Sequence, residues 1–503
     1  MPVYTQWLNA YIPDFKVNDD NLNSYQVNSQ IGVDSAGNFV VVWRDVRVNP
    51  GNSSPGQVYC QRFDKNGLAL GINFRIGQDT AGLPCISVLK DGKFIIAWLR
   101  FFEPLNKYEI FYQRFNKNGT FLDIPRKVTD SIYSVDENLF YGLNISTDTS
   151  GKFIICWSHK PAFNANLTVY FQRFDSSGIK IGSVDSVNEA SSDAEFPSVA
   201  MNNDGSFVIV WQDNRQEPFT AKYDIYMQRY NTAGVKIGNN VKVNDDINAL
   251  MFRGGAKVSN NGYGQTIVVW TDPRLCNNGE VFFQLYDITG NSLGINRKGN
   301  NSPCGTGAFG TAVDIRSDKK FFIYWTDLNL TGREQSYGRK FDSLGIPIGN
   351  QYMVPSLSPN PTNQRADAMK ILNDRVYCTW TYFIPNNYNT DIYCNVRGFQ
   401  NPDTVIGIIN TLVIVNEYML YDAYPNPFNP VTNIKYQLSK AASIKITIFD
   451  IKGQQIEVLQ DKEQLAGTYE ITWDASSKAS GIYFVRMESQ TGFNQTKKIM
   501  LIK

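Results

Sequence analysis

The pattern Trp-x-Asp-x-Arg occurs three times, at Trp43–Arg47, Trp211–Arg215 and Trp270–Arg274. Asp45, Asp213 and Asp272 sit inside it, and Asp327 follows Trp325 at the same spacing. Carboxylates that recur at one place in successive repeats could hold calcium or bind a sugar, so these four are the candidate metal ligands. An Asp–Arg pair, or an Asx-type turn that fixes the loop after a strand, explains the same spacing. His159 takes that place in another repeat and is the one histidine of the chain. A single histidine argues against a multi-histidine zinc centre, and a Ser-His-Asp or Cys-His hydrolase would have to use it. A glycosidase needs two placed carboxylates. No acidic residue breaks the repeat in a catalytic way, so no catalytic residue is assigned.

The seven cysteines include no CxxC, which leaves a zinc ribbon and a thioredoxin-type site unsupported. Cys276 and Cys304 lie in loop-like text and form the candidate disulfide. Pairing of Cys378 with Cys394 turns on strand register. Cys60, Cys85 and Cys156 read as small buried apolar residues.

The elements that must position these groups repeat. Trp43, Trp98, Trp157, Trp211, Trp270, Trp325 and Trp380 each end a β-branched or aromatic run, such as GNFVVVW (37–43) or GSFVIVW (205–211). The runs are apolar at nearly every position, as in a strand covered on both faces. The seven tryptophans are therefore read as core. A second signature follows, as in VYCQRFDKNG (58–67) and IYMQRYNTAG (225–234). Its D/N-x-x-G ending is hairpin chemistry, closed by a glycine at positive φ. The Gln-Arg pairs within it, such as Gln61–Arg62 and Gln228–Arg229, recur too often to mark a single active site. Further strand-like text lies before and after, giving four short strands per unit of about 55 residues.

Seven such units predict an all-β fold, a seven-bladed β-propeller. The seventh unit lacks its fourth strand. DFKVNDD (14–20) nearly copies NVKVNDD (240–246), so the N-terminus is expected to supply it and close the ring. The propeller is assigned to 1–400 and a linker to 401–420. Residues 421–503 hold strands with polar and apolar positions alternating, and read as a small immunoglobulin-like β-sandwich.

Lys and Arg total 48 and Asp and Glu 47, so there is no electrostatic footprint for nucleic acid or an anionic membrane. No run of 18 apolar residues predicts a transmembrane helix. Met1 to Phe15 shows no leader pattern, so an exported chain would have lost its signal peptide.

Residues 14–400 resemble a repeat family of large secreted and surface proteins of bacteria, on the text F-V-V-x-W, I-Y-x-Q-R-F-D-x-x-G and F-x-V-N. The resemblance implies an extracellular propeller and no particular ligand. The C-terminal region is similar to the type A sorting domain of the type IX secretion system. The matching motifs are Tyr424-Pro425-Asn426-Pro427-Phe428-Asn429-Pro430, Phe449–Asp450 with Gly453, Gly467 with Trp473–Asp474, Gly481 to Tyr483, and the terminal strand Lys497 to Lys503. That resemblance implies a bacterium of the Bacteroidota or a related phylum. It also implies passage through periplasm and outer membrane to the cell surface or beyond, with the type IX translocon and its sortase as partners. The expected role is a non-catalytic binding, adhesion or structural module whose ligand is a glycan, a matrix protein or a second copy. A secreted carbohydrate-active enzyme and a self-assembling subunit are the alternatives. No cofactor is expected beyond calcium at the four aspartates.

Overall fold

The computed structural model describes the chain apart from residues 1–4, 7–9, 21–23, 48–55, 78–80, 103–106, 130–132, 135–141, 161–164, 189–191, 217–221, 247–249, 252, 277, 303–306, 329–331, 356–362, 385–388, 400–417, 439–441, 465–466 and 491. It divides into two compact units, Met1–Asp403 and Thr404–Lys503.

The described residues of the first unit build seven antiparallel sheets. The first runs Gln26–Val33, Phe39–Asp45, Gln57–Phe63 and Phe74–Ile76, from inner to outer strand. The inner strands of the other six are Ala81–Val88, Leu143–Thr147, Ala194–Met201, Gly254–Asn260, Ala308–Ile315 and Gln364–Leu372. Each inner strand touches those of the sheets before and after it, and the seventh touches the first, which makes a ring.

This arrangement explains the unbroken apolar runs. Val40 and Val42 pack toward the second sheet, with Ile86, Ile96 and Trp98. Val41 and Trp43 pack the other way, toward Tyr377, Ile392 and Val396 of the seventh. Both faces of the strand are inside, so alternation has no use. All seven repeat tryptophans are core, at most 2% exposed. A buried tryptophan contributes on the order of 4–6 kcal/mol of transfer free energy.

The ring closes with the N-terminal strand. Ala10–Lys16 pairs antiparallel with Thr390–Gly398, with Phe15 opposite Cys394 and Lys16 opposite Tyr393. The copied text does the same work at both places. Asn18 accepts from the Ile392 N–H at 2.8 Å, as Asn244 accepts from Ile225 at 2.8 Å. Asp19 exchanges hydrogen bonds with Asn73 of the first sheet at 2.7 and 3.1 Å. Asp245 exchanges the same pair with Asn296 of the fifth, at 2.7 and 2.8 Å. Thr5–Gln6 adds a parallel fifth strand to Pro347–Met353 of the sixth sheet, which the sequence did not announce.

The second unit holds a three-stranded sheet (Met419–Leu420, Val431–Leu438, Gly467–Asp474) and a four-stranded one (Gln455–Gln464, Ala442–Asp450, Gly481–Ser489, Asn494–Leu501). They share one core, including Ile434, Ile446, Trp473, Val485 and Ile499. The expected linker, 401–420, lies outside the described residues up to 417, and Met419–Leu420 already belong to this unit. The strand Gln455–Gln464 was missed from sequence. It is an edge strand paired only with Ala442–Asp450, mostly exposed, and so carries little apolar pattern.

Deleting residues 1–20 is expected to lower the melting temperature of the first unit by well over 5 °C. Asp19→Ala, which removes the carboxylate's bonds to the Asn73 N–H and to Arg47 but keeps the backbone bond to Asn73, is expected to lower it by less. An unchanged melt for the deletion, read by calorimetry, contradicts ring closure.

Candidate functional site

The four aspartates do not gather into a cluster; each lies at the end of its own sheet's tryptophan strand. Asp45 Oδ2 accepts from the Trp43 indole N–H at 2.8 Å and from Arg47 Nε and Nη2 at 3.0 and 2.8 Å, while Oδ1 accepts from the Arg47 N–H at 2.9 Å. Asp213 accepts likewise from the Trp211 indole and from Arg215, there through Nη2 and the backbone N–H, and adds Ser192. Asp272 repeats it with Trp270 and Arg274. Each arginine also lies over an aromatic face, Arg47 on Tyr59 at 4.2 Å, Arg215 on Tyr226 at 3.9 Å and Arg274 on Phe282 at 4.5 Å. These carboxylates are buried and already neutralised, an arrangement that locks the loop rather than opening it to a cation. No group of three or more acidic, cysteine or histidine side chains able to hold a metal occurs among the described residues.

The network extends between sheets. Arg253 is wholly buried and contacts Asp224 at 2.7 Å, Asp246 at 2.5 Å and Asp272 at 3.2 Å. Arg274 and Arg253 together hold the Asp272 carboxyl below the usual carboxylate range, against the opposing pull of burial. In the sixth sheet Asp327 accepts from Ser302 instead. The indole N–H groups of Trp325 and Trp157 find no acceptor among the described residues. In the second of these repeats His159 replaces the aspartate, and burial pushes that imidazole down to about 4.

The Gln-Arg pairs are structural as well. Gln61, Gln172, Gln228 and Gln284 donate to backbone carbonyls in or just before their own outer strands, at Gly71, Gly182, Gly238 and Gly294. Arg62, Arg114, Arg173 and Arg229 reach forward to carbonyls in the turn of the next sheet, at Asn118, Ser176, Thr232 and Thr289. The seventh sheet lacks this arginine, and Arg375 from its tryptophan strand reaches the Lys65 carbonyl of the first.

Among the cysteines, Cys276 is disulfide-bonded, and its expected partner Cys304 lies outside the described residues. Cys378 and Cys394 are free. Their register is offset by one, Cys378 opposite Asn395 and Thr379 opposite Cys394, so the two thiols enter different cores.

One concavity of about 740 Å³ is lined by residues on or beside all seven inner strands. It is the bore of the ring. Its polar groups partly stitch neighbouring strands: Asn144 Oδ1 accepts from the Val199 N–H at 3.0 Å, and Ser259 donates to Asp314 at 2.7 Å. Asp367 accepts from Ser29 Oγ at 2.6 Å and Thr381 Oγ1 at 2.8 Å. Burial nevertheless raises its carboxyl to about 6. Glu195, on the fourth inner strand, is also raised by burial, and accepts from Tyr223 at 3.0 Å and Gln212 at 3.3 Å. Neither carboxyl was singled out from sequence; only burial distinguishes them.

In the C-terminal unit, the Tyr424–Pro430 segment lies along the terminal strand. The Phe428 N–H donates to the Met500 carbonyl at 2.9 Å, and Asn426 bonds the Lys498 carbonyl at 3.0 Å and the Met500 N–H at 2.8 Å. Phe428 is buried against Trp473 at 5.4 Å, and Trp473 meets Tyr483 edge-on at 5.2 Å. Tyr424, Pro425, Pro427 and Asn429 are exposed. Gly453, at φ 79°, closes the turn after Asp450. Gly467 and Gly481 begin strands. Lys497 pairs with Asp422 at 2.9 Å, and Lys503 donates to the Ser476 carbonyl at 2.6 Å.

Asp272→Ala leaves Arg253 and Arg274 short of a counter-charge and is expected to destabilise by about 3–5 kcal/mol in denaturant titration. A chelator is expected to leave the wild-type melt unchanged, because Asp45, Asp213 and Asp272 each already hold an arginine. Asp367 makes a separate prediction. A carboxyl at about 6 when folded and about 3.9 when unfolded binds more protons in the native state, so stability falls as pH rises through that window. Asp367→Asn is therefore expected to gain on wild type from pH 4 to 6 and hold the gain above it. A difference independent of pH contradicts the burial of that charge.

No curated protein matches this chain. Residues 422–503 match the family described as secretion system C-terminal sorting domain. Among solved structures, a Dyadobacter fermentans protein of unknown function is 10% identical, with 79% of this chain and 99% of that chain covered and a TM-score of 0.45. The β-propeller domain of the Trilobed protease from Pyrococcus furiosus is 13% identical, with 77% and 98% covered and a TM-score of 0.42. The GH93 α-L-arabinofuranosidase of Fusarium graminearum is 14% identical, with 63% and 92% covered and a TM-score of 0.41. A closed ring of antiparallel sheets around a bore is propeller architecture in its own right. Residues 422–503 match the C-terminal sorting domain of the type IX secretion system, and the chain is an all-β, propeller-type protein that carries the signal for export to the cell surface or extracellular space.

Proposed function

We propose that the first unit is a seven-bladed propeller acting as a non-catalytic binding or adhesion module outside the cell. The second unit is its delivery signal, an immunoglobulin-like sandwich recognised by the type IX translocon. One observation carries the reading: three of the four repeated rim carboxylates are consumed by tryptophan and arginine partners, and the fourth by Ser302. What recurs is scaffold, and a rigid disc with variable loops is suited to recognition. The ligand class is a glycan or a matrix protein.

Glu195 supports a second reading. A carboxyl raised by burial and held by a tyrosine is the property of a general acid, as a carbohydrate-active enzyme requires. The other raised carboxyl, Asp367, lies on the seventh inner strand, three sheets away around the ring. Exposed aliphatic residues on the outer edges, among them Ile72, Ile124 and Ile295, support self-assembly as a third.

Full-length protein incubated with insoluble polysaccharides, with and without calcium, is expected to be retained without new reducing ends. New reducing ends that vanish in Glu195→Gln establish the enzyme instead. Concentration-dependent growth in light scattering without retention establishes assembly. Removal of 422–503 in a bacterium carrying the type IX system is expected to leave the chain inside the outer membrane; its arrival at the surface contradicts the delivery role.

A further inference from the structure

The register of the seven sheets defines equivalent places in the bore. Opposite the residue that precedes each repeat tryptophan stand Gln30, Cys85, Asn144, Ser198, Lys257, Ala312 and Ala368. Six of these seven are uncharged. Two residues further along each strand lies a second ring: Gly32, Ser87, Ser146, Ala200, Ser259, Asp314 and Lys370. Its two charges sit on neighbouring sheets and face each other, Lys370 Nζ at 3.9 Å from Asp314. Arg365, the remaining bore cation, is held by Glu334 through two hydrogen bonds of 3.0 and 2.6 Å.

Lys257 is different. It lines the bore, and no carboxylate among the described residues is close enough to contribute to its electrostatics. The titratable groups its charge feels are the thiols of Cys156 and Cys85, on the third and second sheets. Burial raises both thiols far above their ordinary range, so they stay neutral and offer no counter-charge. The same burial lowers the lysine's own pKa, which marks an ammonium that an anion would stabilise. The side-chain N–H groups of Gln30 and Asn144 line the same ring and donate to no described residue. The two carboxyls of the same cavity, Asp314 and Asp367, are engaged by Lys370 and by Ser29 and Thr381, so a cation and two amide donors facing one cavity form an acceptor-seeking set that no described residue satisfies.

We propose that the bore is a binding site for a small anion carrying a carboxylate or phosphate, with Lys257 as counter-charge and Gln30 and Asn144 as donors. The volume, about 740 Å³, falls within the range of small-molecule sites and admits a sugar acid as readily as a free phosphate. The inference deepens the binding-module reading and rests on it.

The test is calorimetric titration of the full chain, at constant ionic strength, with sodium phosphate, sodium galacturonate and neutral galactose. At least one of the anions is expected to bind one-to-one, and galactose is not. The anion that binds identifies the source. Lys257→Met is expected to weaken that binding at least tenfold, and Lys445→Met, in the sorting domain, to leave it unchanged. Should Lys257→Met not fold, reductive methylation of wild type replaces it. The bound anion is then expected to protect Lys257 and not Lys445, read by peptide mass spectrometry. Absence of binding by both anions overturns the proposal, as does undiminished affinity in Lys257→Met or unprotected Lys257. Turnover of polysaccharide would end the module reading, whereas absence of anion binding without turnover ends this proposal alone.

Discussion

A ring of sheets must close, and everything else in the first unit depends on that constraint. Each sheet buries both faces against neighbours, so an open ring would leave two sheets half wet. The chain meets the constraint by returning its N-terminus to the far end. Ala10–Lys16 supplies backbone partners for Thr390–Gly398, and Asp14 meets Arg397 at 2.7 Å in a buried pair. The clasp of Asp19 and Asn73 then ties the seventh sheet to the first with the chemistry that ties the fourth to the fifth. Closure is thus an ordinary repeat junction made from residues almost four hundred positions apart.

Burying charge inside such a ring is expensive unless every ion is matched. The aspartates of the tryptophan strands show how the match is made. An indole N–H, a guanidinium and a backbone N–H converge on each of Asp45, Asp213 and Asp272, and the guanidinium covers an aromatic face. Arg253, itself fully buried, joins three carboxylates. Where a repeat departs from the pattern, at His159 or Asp327, the tryptophan remains buried although its N–H finds no acceptor among the described residues. Packing tolerates that loss.

Near-symmetry gives departures their meaning. Seven equivalent strands line one bore, and the arginines and glutamines that recur are spent on turns and outer strands. A lone cation in one of seven positions is therefore a local specialisation. The scaffold does not need Lys257: serine, asparagine, glutamine and alanine fill the same place elsewhere.

The sequence by itself determined the strands, the period, the returning N-terminal segment and the sorting tail. Each is written in short-range text: β-branched runs ending in tryptophan, D-x-x-G turns, a copied V-N-D-D, and a proline-rich segment ahead of a lysine-bearing terminal strand. Local sterics and hydrogen bonding fix such features within a few residues. The polar strand Gln455–Gln464 escaped because an exposed edge leaves no apolar imprint. Tertiary structure alone decided what the aspartates do. Their spacing suits calcium and arginine equally, and only the fold brings Arg253 to Asp272 or sets Asp19 beside Arg47. It alone also revealed Lys257 as singular, since equivalence among seven inner strands is a matter of register across sheets. Charge and coordination depend on distances through space, and a linear period carries those distances only within one repeat.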